Sequence, residues 1–176
     1  MSRPRIDFGR IGLDLGIGIG LALAWFGIGA LILWPFGKAA LCWDLGKGYP
    51  IYVGALMLAT LLSLIVQKVF RLDFDPPRDP FIITNVVISV FVQAGWAAFV
   101  ALAVADFLPD ASLFATVVLH FVGFVGSYIT AATTGAFFQG SVYKTIDTLV
   151  SAVAYILFAI WPGAAHAIYS WFFALL

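Results

Sequence analysis

The sequence predicts an all-α, polytopic membrane protein: about five transmembrane helices in a single domain over residues 1–176, with a short C-terminal helix in the interface. Three observations predict it. Hydrophobic residues make up 63% of the 176-residue chain and charged residues 10%, with a mean hydropathy of +1.06. An ordinary globular domain is roughly 45–50% apolar and about 25% charged. Long apolar runs recur along the chain, each near the ~20 residues that cross a bilayer core. Short segments carrying charge, proline or glycine separate them. So few polar groups cannot cover a water-soluble particle, and so much apolar surface does not stay unfolded, which excludes a soluble enzyme and a disordered chain. Nine Lys+Arg balance nine Asp+Glu, leaving no basic field for nucleic acid.

The first span covers about 11–36 and closes at Trp34-Pro35. Its basic approach (Arg3, Arg5, Arg10) resembles a secretory signal, but the uncharged stretch 15–37 exceeds the ~7–15 residues of a signal core. It therefore reads as a retained helix. The second span is about 50–70, with Pro50 suited to a first helical turn. Asp79-Pro80 offers an N-cap and a first-turn proline to the third, about 81–107. The fourth, about 112–138, is broken by Gln139-Gly140, and the fifth, about 141–161, by Pro162-Gly163. Residues 164–176 are too few to cross again and suit an interfacial helix anchored by Tyr169 and Trp171.

Loop charge sets the orientation. Arg3, Arg5, Arg10, Lys68, Arg71, Arg78 and Lys144 fall on one side, and only Lys38 and Lys47 on the other. Positive residues stay in the cytoplasm, which places the N-terminus inside and the C-terminus outside a bacterial inner membrane. Trp34, Trp43, Tyr49, Tyr52, Trp161 and Trp171 would then gather at the outer interface.

Two helices carry small residues at four-residue spacing: Gly12, Gly16, Gly20 and Ala24 on the first, Gly123, Ser127, Ala131 and Gly135 on the fourth. Such ridges let two backbones approach closely, and would pair with one another or with a second copy of the chain. Polar stripes mark three consecutive helices. The third has Asn85, Ser89 and Gln93; the fourth has Thr116, His120, Ser127, Thr130 and Thr134; the fifth has Lys144, Thr148, Ser151 and Tyr155, with Asp147 beside them. These stripes either line a hydrated path or bond packed helices to one another, and small hydroxyls that back-bond to their own helix favour packing. His120, about two turns inside the outer end of its span, is the intramembrane group best placed for a proton-coupled role. The plainer alternative is a neutral imidazole bonded to a neighbouring carbonyl.

No cofactor or metal is expected. Cys42 is the lone cysteine, so neither a disulfide nor a thiolate cluster can be built. His120 and His166 would share a haem only if the C-terminal segment folded inward. Asp14 reads as the partner of Arg10 at the cytoplasmic surface, and Lys144 with Asp147 as a similar pair. Asp73, Asp75 and Asp79 supply oxygen ligands suited to Mg²⁺, yet Lys68, Arg71 and Arg78 neutralise them and no second acidic cluster exists. A stiff, charge-balanced turn fits better.

Gly29-Ala30-Leu31 leading to Pro35-Phe36-Gly37-Lys38-Ala39, and the junction 138–147 (FQGSVYKTID), resemble a family of small bacterial membrane proteins, domain of unknown function 1761. The resemblance implies a bacterial multi-span protein and carries no activity. The Lys144-to-Asp147 spacing is shorter than in the family, and the Tyr-His pair of the family's last helix is missing. From these features the expected role is association through helix faces, as an accessory or assembly subunit or an oligomer, with membrane lipids and other subunits as partners. The alternative is a small transporter or channel between spans three and five.

Overall fold

The computed structural model describes residues 8–70, 80–139 and 141–174, and every regular element among them is helical. Helix α1 (Phe8–Leu33) runs into a 3₁₀ turn, Trp34–Phe36. Pro35 removes an N–H donor there, and Gly37 closes the turn at φ +68°, its N–H donating to the Trp34 carbonyl at 2.9 Å.

Helix α2 (Ala40–Phe70) starts at Ala40 rather than at Pro50, so the proline lies inside a 31-residue helix. The reason is a face that continues upstream of the proline. Cys42, Leu45, Tyr49, Tyr52 and Leu56 fall at three- and four-residue steps, Leu41 lies four before Leu45, and all are buried. Asp44 and Lys47 lie off that face and pair at 3.0 Å near solvent, a contact worth little.

Pro80 opens α3 (Pro80–Asp106), as its first-turn geometry dictates. The connection to α4 (Leu113–Gln139) contains Asp110 at φ +64°, and the Ser112 hydroxyl accepts the Ala115 N–H at 3.2 Å to cap the new helix. Lys38 reaches across to the Pro109 carbonyl at 3.2 Å, tying two loops at the same end of the bundle. Helix α5 (Ser141–Ile160) stops before Pro162, and α6 (Pro162–Ala174) leaves it at 105°.

Helix α3 is the hub, packed by α2, α4, α5 and α6; α1 lies on α4 and α2. The core joins Phe26 and Leu33 of α1, Leu45 and Leu56 of α2, Trp96, Val100 and Val104 of α3, Leu119 and Val122 of α4, and Tyr155 of α5.

The polarity of the molecule is reversed relative to a soluble protein. Gln93, Ser127, Thr130, Thr148 and Ser151 are buried, whereas Leu13, Leu31, Phe91, Phe114, Val117, Leu149 and Ile160 face outward. In water that outer surface would be a severe liability; in hydrocarbon it is the favourable arrangement. Among the described residues, two helical stretches are long and apolar enough to cross a membrane, Gly16–Phe36 and Leu113–Ala132, or three if the bent α5–α6 pair is one broken span.

Two expectations about aromatic residues change. Trp34, Trp43 and Trp161 are exposed at one end of the bundle, as an interfacial belt requires. Tyr49 and Tyr52 do not join them: at 6% and 4% exposure they turn into the core, because α2 begins early enough to present them to α3. Tyr169 also serves inside the molecule. Its hydroxyl donates to the Gly95 carbonyl at 2.7 Å, fastening α6 against the middle of α3.

Candidate functional site

The predicted polar stripes meet one another across helix interfaces. The Ser127 and Ser151 hydroxyls are 2.7 Å apart, joining α4 to α5. The indole N–H of Trp96 donates to the Thr130 hydroxyl at 2.7 Å, joining α3 to α4, while that hydroxyl donates back to the Gly126 carbonyl, also at 2.7 Å. The Tyr52 hydroxyl donates to Gln93 Oε1 at 2.7 Å, joining α2 to α3. These bonds are direct and buried.

Tyr52 and Tyr49 are the members that the sequence reading missed. Their i, i+3 spacing with Leu45 and Leu56 on one helical face was the available signal, hidden by reading Pro50 as a helix start. Trp96 is stacked between Tyr52 and Phe99, with ring centroids at 4.8 and 5.5 Å. Tyr49 meets Phe26 and Trp96 edge-on at 5.7 and 6.2 Å. Two buried polar atoms in this cluster have no hydrogen-bond partner among the described residues, the Tyr49 hydroxyl and Gln93 Nε2.

Toward the end of the bundle near Leu113, His120 Nδ1 lies 3.2 Å from the Tyr155 hydroxyl, which also approaches the His120 carbonyl at 3.4 Å. Beside them a groove of about 500 Å³ runs between α4 and α5, lined by His120, Phe121, Phe124, Tyr155, Ile156, Ala159 and Ile160. His166 is exposed on α6 and is not part of that lining.

The two small-residue ridges have different fates. On α4, Gly123, Ser127 and Ala131 are buried. A methyl group at Gly123 would lie 2.5 Å from the Tyr155 hydroxyl and 2.7 Å from Val104 Cγ2, so the ridge admits α3 and α5. On α1, Gly12, Gly16, Gly20 and Ala24 are exposed, and a methyl group on any of the three glycines would meet nothing within 4 Å among the described residues. The ridges therefore do not pair with one another inside this chain. Helix α1 meets α4 through other residues: a methyl at Gly126 would fall 2.7 Å from Trp25 Nε1.

Thr116 is half-buried on α4, with its backbone N–H on the Ser112 carbonyl. The side chains of Asp14, Asn85, Ser89, Thr134, Lys144 and Asp147, and the surroundings of Gly135, lie outside the described residues, as does the whole acidic loop with Asp73, Asp75 and Asp79. Among the described residues, no three His, Cys, Asp or Glu side chains come together as metal ligands would. Fold and polarity define a class, an all-helical protein with apolar outer faces and a bonded polar interior. No family model, no curated protein and no solved structure matches the chain.

Proposed function

We propose that this chain is a multi-pass protein of the bacterial cytoplasmic membrane that acts by helix association, as an accessory or assembly subunit of a membrane complex or as an oligomer of itself. The apolar runs of the sequence support five spans and the loop charges an N-terminus inside, and the exposed tryptophans at one end of the bundle support the outer boundary. The observation that carries the reading is the ridge of Gly12, Gly16, Gly20 and Ala24. It is shaped for a close helix neighbour, yet among the described residues nothing comes within 4 Å of a methyl group placed on any of its three glycines, and Ala24 is exposed. Lipid offers no hydrophobic gain for helix association, so close backbone packing on small residues is a main source of affinity. The bonds Ser127–Ser151 and Trp96–Thr130 occupy the polar seam and favour a packing role for it over a hydrated path.

Native mass spectrometry after extraction into a mild detergent tests this. A homo-oligomer or a stoichiometric foreign subunit is expected from the wild type, and Gly16→Leu with Gly20→Leu is expected to dissociate it while the helical circular dichroism is unchanged. A monomeric wild type, or an assembly indifferent to both leucines, would sink the reading.

A further inference from the structure

We propose that α6 is a reversible strap: docked on the hub helix α3 in the structure, it swings about Pro162-Gly163 into the membrane interface and uncovers α3 at Gly95. The inference rests on the membrane reading above and is independent of the association reading.

The docking seam is narrow. Helix α6 packs on α3 and α5. Among residues 162–170, only Ala165 is buried; Pro162, Ala164 and Tyr169 are half-buried, and Gly163, His166, Ala167, Ile168 and Ser170 are exposed. Ala165 and Tyr169 stand four apart, on one stripe of the helix. The Tyr169 hydroxyl latches that stripe to the Gly95 carbonyl at 2.7 Å.

Each of these contacts has a counterpart of similar weight when α6 is undocked. Ala165 exchanges protein neighbours for lipid tails, which are equally apolar, so its release forfeits packing and no hydrophobic energy. The Gly95 carbonyl keeps the backbone bond of its own helix. Tyr169 exchanges that carbonyl for the water and headgroups of the interface, where tyrosines collect. Docking holds it away from them: Gly95 lies eleven residues short of Asp106, the last residue of α3, or about 16 Å along the axis.

The corner permits the swing. The Trp161 N–H closes α5 on the Leu157 carbonyl at 2.9 Å, and the Trp161 carbonyl takes the Ala164 N–H of α6 at 3.0 Å. Between them Pro162 has no N–H to carry the ladder across. A methyl at Gly163 would meet only Trp161 among the described residues, at an ordinary 3.6 Å, so packing does not wedge the 105° angle in place. Release leaves a glycine of the hub helix open to lipid or to a neighbouring helix, the close approach that small residues favour.

The test places spin labels at Asp106→Cys and Ser170→Cys, both exposed positions, and leaves the buried Cys42 as it is. Double electron–electron resonance reads the distance between them in the full chain, reconstituted in phosphatidylcholine nanodiscs. Two populations are expected, one at the separation of the docked structure and a second from the undocked strap. Tyr169→Phe should raise the undocked share about fivefold, the weight of one neutral hydrogen bond. Amide hydrogen exchange should then accelerate in α6 while α3 and α5 keep their protection. A single docked population in both chains, or two populations whose ratio Tyr169→Phe leaves unchanged, overturns the proposal. So does exchange that rises through α3 and α5 as well, which would make α6 an inseparable part of the bundle. Gly16→Leu with Gly20→Leu lies on α1, so failure of the association reading would leave the two populations as they are. Failure of the membrane reading would appear separately, as a chain that stays dispersed without detergent.

Discussion

Gly123 and Gly16 both belong to ridges of small residues at four-residue spacing, yet they face opposite demands. A methyl at Gly123 would press on Tyr155 and Val104, and a buried tyrosine held by His120 cannot yield cheaply. Gly123→Ala is therefore expected to destabilise the bundle by about 1–3 kcal/mol, the usual cost of overpacking. Gly16→Ala should stay within about 0.5 kcal/mol, since the added methyl meets nothing among the described residues. Thermal unfolding of the two variants in one detergent, followed by tryptophan fluorescence, separates them. The Ser127–Ser151 pair gives a second residue-scale expectation. A double-mutant cycle to alanine should return a coupling of about 0.6 kcal/mol, typical of hydrogen bonds between membrane helices. Cys42, upstream of the span predicted over about 50–70, gives a third. Burial pushes its thiol up to about 11, so the thiolate is scarce at neutral pH and rises only as pH approaches that value. Maleimide labelling should be slow in the folded protein and fast after denaturation in sodium dodecyl sulfate.

At the scale of the elements, the breaks in the chain were legible and the lengths were not. Proline and glycine at 35–37, 80 and 162–163 mark helix ends because they remove a donor or permit a left-handed turn. Pro50 was misleading: Leu41, Cys42 and Leu45 already present an apolar face to α1 and α3, and their burial outweighs one missing backbone bond. The α5–α6 corner tests how much a local break decides. Pro162→Ala with Gly163→Ala removes the stop and should let α5 continue straight, pulling Tyr169 from the Gly95 carbonyl. Amide hydrogen exchange in α6 should then accelerate, and Tyr169→Phe alone should reproduce part of the effect, about 1 kcal/mol for one neutral bond.

At the scale of the whole molecule, the proposed orientation is set by Arg3, Arg5, Arg10, Lys68, Arg71, Arg78 and Lys144 against Lys38 and Lys47. Alkaline phosphatase fused after residue 176 should be active and a fluorescent protein at the same place dark. Fusions within the loop 71–79 should give the opposite result. A dark C-terminal phosphatase would mean an even number of crossings, with the bent α5–α6 pair as the place to look.

Composition and the length of the apolar runs pointed to helices with an apolar exterior, because an uninterrupted run of about 20 apolar residues in hydrocarbon satisfies its backbone groups within its own helix. The polar stripes of the third, fourth and fifth spans were likewise visible as spacing, and Gln93, Ser127, Thr130, Ser151 and Tyr155 do lie in the interior. Which stripe bonds to which was decided by packing. Tyr52 reaches Gln93, Trp96 reaches Thr130 and His120 reaches Tyr155 across sequence separations of 41, 34 and 35 residues, and no local spacing encodes a meeting between helices. The same holds for the two glycine ridges. Both are small residues at the same four-residue spacing, but the rotation of each helix about its axis, set by how the bulky side chains interlock, buried one and left the other open.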